Sequence, residues 1–394
     1  MKKILLISYF FPPSVDQRSL KFAKYLPQYG WLPWVLSPKH SEYRRFDSTL
    51  LKEIPPNCKV IDTPSSEKVP RPIIHPNDFR SGWFTEAIIE GVRIIEEQNI
   101  DVIFTTASPN LSHLIGLTLK QMTKKPWIAD FRDEWTTNPY IQGLYPGKQM
   151  NYNAKLEQLV LKQADAVVSG GEKMSDILFR LSGTSSKKKF HTIHEGFDPL
   201  DFPNKRVSKE NNRFTLTYMG ALYGLRKSLA DRFFEEIVMA VSNRRLMPKD
   251  FELLMVGSSL TLPVKKRIFQ IRNAGYMNHH EALERTGSAD LLLLFIDPKE
   301  GAQTIPSKLF EYINLKKPIF ALIPPNSEVA HIIRATRTGI VVDSNNPAEG
   351  IKTLALYLRS WKNKSLKFNP CLEEIEKYDR KLLTGKLAKV LNEI

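Results

Sequence analysis

The stretch Gln303-Thr304-Ile305-Pro306-Ser307-Lys308-Leu309-Phe310-Glu311-Tyr312 holds the residue types and spacing best suited to chemistry in this chain. It follows an apolar run, Leu291 to Ile296, that reads as a buried strand, and then a loop. Pro306 suits the first turn of a helix, and Leu309, Phe310 and Ile313 form one apolar stripe behind it. A helix start leaves backbone N–H groups unpaired, and these attract phosphate. Lys308 adds a point charge there, and Glu311 stands about one turn on, at a distance suited to a ribose diol. The group fits a nucleoside diphosphate. The plainer alternative is an ordinary strand–loop–helix unit, which every parallel α/β protein contains.

The elements that must position this group follow from the rest of the chain. Lys3–Ser8, Val35–Leu36, Val60–Ile61, Val102–Thr105, Trp127–Ala129, Ala166–Val168 and Thr192–His194 read as strands. Helical patterns at Arg18–Tyr29, Phe84–Gln98, Leu111–Gln121, Ala154–Gln163 and Lys173–Leu181 alternate with them, which indicates a parallel sheet covered on both faces. The polar, proline-containing segment Asp198–Arg213 reads as a linker. A second series of strands begins at Phe214–Met219 and runs through Leu253–Val256, Leu291–Ile296, Ile319–Leu322 and Ile340–Val342. Asp379–Ile394 carries Leu383, Leu387, Val390, Leu391 and Ile394 on one face, an amphipathic helix in need of a surface. The expectation is an α/β fold of two Rossmann-like domains facing a cleft, 1–200 and 201–370. Residues 371–394 then return as a helix to the first domain.

Bulk properties narrow the function. The 394 residues are 42% hydrophobic and 25% charged, suited to a soluble globular protein of two domains. The opening Met1–Ile7 is too short an apolar run for a signal peptide, and no apolar run reaches membrane-spanning length. Cys58 and Cys371 are too far apart in sequence for metal-ligand spacing and suit a reducing cytoplasm. The net charge of +15 favours anionic partners such as phosphorylated substrates or an acidic membrane surface, with a merely solvated basic surface as the alternative. Nucleic acid has only charge in its favour and is not expected.

Several landmarks, in order, carry a family resemblance. These are Ile7-Ser8-Tyr9-Phe10-Phe11-Pro12-Pro13 with Arg18 and Phe22–Leu26, Ala164–Ser169, His194-Glu195-Gly196-Phe197-Asp198, Phe214–Gly220, and Pro306–Pro318. Together they resemble retaining glycosyltransferases of the GT-B fold, the glycogen- and sucrose-synthase-like family that includes bacterial polysaccharide enzymes. The resemblance implies transfer of a sugar from a nucleotide-diphosphate sugar to a glycan or lipid-linked acceptor, with retention. It places Gly220, Gly257, Gln303, Thr304, Pro306, Ser307, Lys308 and Glu311 on the donor, and Ser14, Arg18 and His113 on the acceptor side.

Departures from the family pattern matter as much. Gln303 stands where the family often has the first of two glutamates, and Glu300 is near but out of register. Ala221 replaces a usual arginine, leaving Arg226 and Lys227 as the cations for the leaving diphosphate. Ser14-Val15-Asp16-Gln17 replaces a glycine-rich loop. Where a histidine is usual, Asp130, Arg132 and Asp133 follow a strand, positioned to bind sugar or take an acceptor proton, or else to form a loop-closing ion pair. No Asp-x-Asp metal motif is present in that reading and no cofactor is expected. Tyr9, Phe10, Phe11, Trp31 and Trp34 suggest an acceptor-binding aromatic face, and Lys21, Lys24 and Lys39 beside them suggest reversible binding to the inner face of the cell membrane. A GT-B-fold nucleotide-sugar epimerase or hydrolase, and an inactive nucleotide-sugar-binding relative, remain the alternatives.

Overall fold

The computed structural model describes residues 1–39, 46–65, 82–141, 147–202, 212–257 and 269–394. The chain forms two compact units, Met1–Glu195 with Arg380–Ile394, and Gly196–Asp379. Residues 203–211 of the expected linker lie outside the described residues; Asp198, at its start, caps a short 3-10 turn, Pro199–Asp201. Each unit is a parallel sheet between helices, so both are Rossmann-like.

The first unit contains strands β1 (Lys2–Ser8), β2 (Trp31–Pro38), β3 (Lys59–Thr63), β4 (Val102–Thr106), β5 (Trp127–Phe131), β6 (Ala166–Ser169) and β7 (Phe190–Thr192). Its helices are α1 (Arg18–Tyr25), α2 (Phe84–Gln98), α3 (Leu111–Thr123), α4 (Gly147–Gln163) and α5 (Glu172–Ser182). The sheet order is β3-β2-β1-β4-β5-β6-β7, so the strand order reverses between β1 and β4. The helix expected over Arg18–Tyr29 becomes a 3-10 turn after Tyr25 and stops where Gly30 takes φ 87°.

The second unit contains β8 (Phe214–Met219), β9 (Phe251–Val256), β10 (Gln270–Asn273), β11 (Leu291–Phe295), β12 (Ile319–Ile323) and β13 (Gly339–Asp343). Its helices are α6 (Gly224–Ser242), α7 (His279–Gly287), α8 (Lys308–Asn314), α9 (Glu328–Thr336), α10 (Pro347–Lys362) and α11 (Leu372–Glu376). The order β10-β9-β8-β11-β12-β13 reverses between β8 and β11. The run Leu-Leu-Leu-Leu-Phe of β11 is buried on both faces, the pattern of a central parallel strand. Such a reversal opens a crevice beyond the strand ends where ligands of α/β sheets bind.

The last helix, α12 (Arg380–Glu393), closes on the first unit. Leu383, Leu387, Ala388, Val390 and Leu391 join the core that contains Leu20, Phe22 and Leu26. The Tyr29 hydroxyl donates to the Lys381 carbonyl at 2.9 Å. No helix among the described residues is long and apolar enough to cross a membrane.

Two surface expectations are corrected by burial. Tyr9 and Phe11, just beyond the end of β1, and Trp31, at the start of β2, are core residues 1% exposed or less, packed into the two apolar clusters of the first unit. They offer no acceptor-binding face. Lys21 is fully buried, and its ammonium, with that of Lys24, binds Glu53 Oε2 at 2.6 and 2.8 Å. Neither lysine is a loose charge for lipid.

Candidate functional site

In the second unit, the ends of β8, β9 and β11 and the start of α8 assemble one polar group at the sheet reversal. Gly220 and Gly257 end β8 and β9 with φ of 94° and 81°, left-handed values that glycine adopts without strain. A Cβ on Gly220 would stand 3.0 Å from Lys308 Nζ, and one on Gly257 3.4 Å from the Gly220 nitrogen. These glycines let the two strand ends and the lysine approach each other closely.

Lys308 opens α8, with Pro306 and Ser307 just before it; the Pro306 and Ser307 carbonyls accept the Leu309 and Phe310 N–H groups in two tight turns. The helix therefore starts two residues later than the position of Pro306 suggests. The Lys308 side chain folds back into the unit. Its ammonium donates to the Tyr218 hydroxyl at 2.7 Å and lies 4.0 Å from that ring's centre. Burial pushes the ammonium down to about 7, with the Arg226 charge acting the same way and the Glu311 and Glu300 carboxylates opposing. Lys308 is thus poised to gain a full charge when an anion arrives.

Arg226, in the first turn of α6, turns inward and meets the fully buried Glu300 at 2.8 Å. Glu300 is fixed by a capping box: its carboxylate accepts the Asp297 N–H at 3.0 Å, and Asp297 accepts from the Lys299 N–H. Thr304 donates to the Glu300 carbonyl at 2.6 Å. Gln303 curls towards Gly301, whose missing Cβ would overlap the Gln303 amide. Glu311 is partly buried, 3.6 Å from His279 Nε2. Tyr312, one residue on, accepts the Met219 N–H at 2.8 Å and so ties α8 to the end of β8. Lys227 is not brought into this group; it pairs with Asp231 one turn along α6, at 2.6 Å, and is 45% exposed.

In the first unit, the expected acceptor-side residues separate into a buried frame and an open rim. Arg18 and Asp130 are both fully buried and joined by two hydrogen bonds, Nε to Oδ2 at 2.9 Å and Nη2 to Oδ1 at 2.7 Å. Arg18 also donates to the Ile193 and His194 carbonyls, and Thr106 donates to Asp130 at 2.8 Å. Burial works against the Arg18 charge, but the Asp130 and Glu195 carboxylates hold the guanidinium above its ordinary range. Arg132 pairs with Asp16 and lies 3.2 Å from Glu195. Glu195 further receives Arg380 at 2.6 Å. Burial pushes the Glu195 carboxyl up, yet Arg380, Arg18 and Arg132 together hold it at about 2.

Ser14 is buried and bridges to Phe46. His113 is fully buried, hydrogen-bonded to Thr105 and packed on Phe131, and burial drives its imidazole down to about 3. A neutral, enclosed ring of this kind belongs to the core. Asp133 is exposed and makes no hydrogen bond or ion pair among the described residues, the opposite of its neighbour Asp130.

Glu300, out of register with the family pattern, belongs to the site all the same, and no spacing in the sequence singles out Tyr218, Glu195 or Arg380. The Asp297-x-x-Glu300 pattern after a buried strand was the available sign of a fixed carboxylate.

Neither a family model nor a curated protein sequence matches the chain. Solved structures do. The chain is similar to a glycosyltransferase from Rickettsia africae (16% identity, TM-score 0.61, covering 100% of this chain and 98% of that one). It is similar to Anabaena HepE in complex with UDP (13%, TM-score 0.65, 100% of both chains). It is also similar to the UDP-GlcNAc 2-epimerase of Neisseria meningitidis bound to UDP-GlcNAc (12%, TM-score 0.57, 100% of both). At such identities the likeness defines the fold: two Rossmann-like α/β domains of GT-B type, shared by glycosyltransferases and nucleotide-sugar epimerases.

Proposed function

We propose that the chain is a glycosyltransferase that takes its sugar from a nucleoside-diphosphate sugar held by the second unit. The carrying observation is the convergence of Gly220, Gly257, Arg226, Lys308 and Glu311 at the reversal of the second sheet. HepE and the Neisseria epimerase, which share the fold, were solved with UDP and UDP-GlcNAc, in support of a nucleotide-sugar ligand.

In this reading Glu311 accepts the ribose hydroxyls, and the Gly220 and Gly257 backbones allow the diphosphate to approach. Arg226 and Lys308 face the negative charge that builds on the leaving oxygen as the anomeric C–O bond breaks. Fixed donors of this kind are worth about 3–4 kcal/mol each, a hundredfold or more in rate. Those cations make a metal ion unnecessary to the proposed step. Glu300 holds the Arg226 guanidinium in place. On the first unit, Asp133 is the exposed carboxylate available to an acceptor, while Arg18 and Asp130 build the loop that presents it. The acceptor is a glycan or lipid-linked glycan, transfer proceeds with retention, and the enzyme works in the cytoplasm at the inner membrane face.

The test is nucleotide release from UDP-, GDP- and ADP-sugars, with and without lipid-extract acceptors, with the product's anomeric configuration read by NMR. Acceptor-dependent release supports transfer. An altered sugar still attached to its nucleotide would make the chain an epimerase, and binding without either change an inactive relative.

A further inference from the structure

Two histidines open α7, and their surroundings bear on the nucleotide end of the proposed donor site. Asn278 caps the helix, its side chain accepting the Glu281 N–H at 2.9 Å. That cap is made without help from either imidazole. His280 ties α7 to the turn Pro199–Asp201, its Nδ1 lying 2.9 Å from the Asp201 carbonyl oxygen. His279 faces another way. Its Nε2 stands 3.6 Å from Asp201 Oδ2 and 3.6 Å from Glu311 Oε1.

One ring nitrogen between two carboxylates is stabilised with a proton on it, because a lone pair there would face negative charge from both sides. A protonated Nε2 attracts the Glu311 carboxylate and restricts a side chain that otherwise rotates about three bonds. Glu311 remains 20% exposed, so a hydroxyl pair can still reach it. Asp201 is almost fully buried and faces the same ring nitrogen from the Pro199–Asp201 turn. Lys308, whose charge is also coupled to Glu311, lies on the same short helix one turn earlier.

We propose that His279 is a positioning residue for the nucleotide ribose: it holds the Glu311 carboxylate in the orientation that accepts both hydroxyls of the diol. This rests on the donor-site reading above. Immobilising a flexible carboxylate in advance spares the ligand that cost, an effect of about three- to tenfold on affinity.

The experiment measures the full chain's affinity for the tightest binder among UDP, GDP and ADP, and for its 2′,3′-dideoxy analogue. Wild type and Glu311→Gln are compared with His279→Ala, His279→Phe, which keeps a ring without nitrogens, and His279→Gln, which can still donate. Folding of each is checked by circular dichroism. The expected result is that wild type prefers the ribonucleotide, that Glu311→Gln removes the preference, that Ala and Phe reduce it about three- to tenfold, and that Gln retains most of it. If wild type binds no diphosphate or shows no preference, the donor-site reading fails and takes this inference with it. If the preference vanishes in Glu311→Gln yet persists in either folded Ala or Phe variant, the donor site stands and the role of His279 is refuted. Equal weakening of both analogues by these variants also refutes it, since a general packing defect does not single out the diol.

Discussion

Raising the pH from 7 to 9 should weaken binding of a nucleoside diphosphate by about fiftyfold, through Lys308 alone. The lysine sits against Tyr218 and Gly220, and burial holds its ammonium at about 7 in the ligand-free protein. Half of the molecules carry the charge at pH 7, and about 1% at pH 9. An arriving diphosphate restores the charge, so binding takes up a proton and the association constant follows the charged fraction. The ratio is about fifty, or about 2.3 kcal/mol. Tyr218 and Tyr312 do not interfere, since burial raises both phenols above their ordinary range. Titration calorimetry in two buffers of different ionisation heat gives both the affinity and the protons taken up. Lys308→Met should bind weakly at both pH values, near the wild-type level at pH 9. A wild-type affinity that stays flat from pH 7 to 9, or a fall of equal size in Lys308→Met, would refute the reasoning. The same shift has a sign for stability. Between pH 7 and the ordinary lysine range the unfolded chain holds a proton that the folded chain lacks, so this group makes the fold more stable as pH rises.

Other outcomes follow from the same geometry. Asp130→Ala leaves Arg18 buried without its carboxylate and should cost about 3–5 kcal/mol, seen as a lowered urea midpoint; a change below 1 kcal/mol would mean that the pair is not structural. Asp133→Asn should leave the midpoint within about 0.5 kcal/mol while lowering turnover, because Asp133 is exposed; full turnover across pH 6–9 removes it from the mechanism. Leu387→Ala, in the buried face of α12, should destabilise by about 2–5 kcal/mol, and a neutral result would contradict the docking of that helix. Co-sedimentation with anionic vesicles should be detectable at low salt and lost at high salt; absence of binding at low salt makes the acceptor a soluble one.

What the sequence made legible was set by local pattern. The five-residue apolar run of β11 and the spaced leucines of α12 announce burial on two faces and on one, and both elements formed where expected. Strand β10, Gln-Ile-Arg-Asn, has no such pattern; it is an edge strand defined by its pairing with β9, which no local signal reports. The donor-side residues were legible as a strand–loop–helix unit, but not the choice between Arg226 and Lys227. Adjacent residues on a helix face different ways, and only tertiary contact with Glu300 decided which one turned inward. The union of Arg18 with Asp130 spans 112 residues of chain and was beyond any reading of spacing. Aromatic residues misled for a related reason. Tyr9, Phe11 and Trp31 have the composition of a sugar-binding face and of a core alike, and the packed clusters of the first unit enclose them.

The most direct test of the central claim is a crystal structure of the full chain with a nucleoside diphosphate bound. The diphosphate is expected beside the Gly220 backbone within hydrogen-bonding reach of Lys308 Nζ and Arg226, with the ribose hydroxyls on Glu311. A diphosphate bound elsewhere, with Lys308 still on Tyr218 and Glu311 untouched, would contradict it.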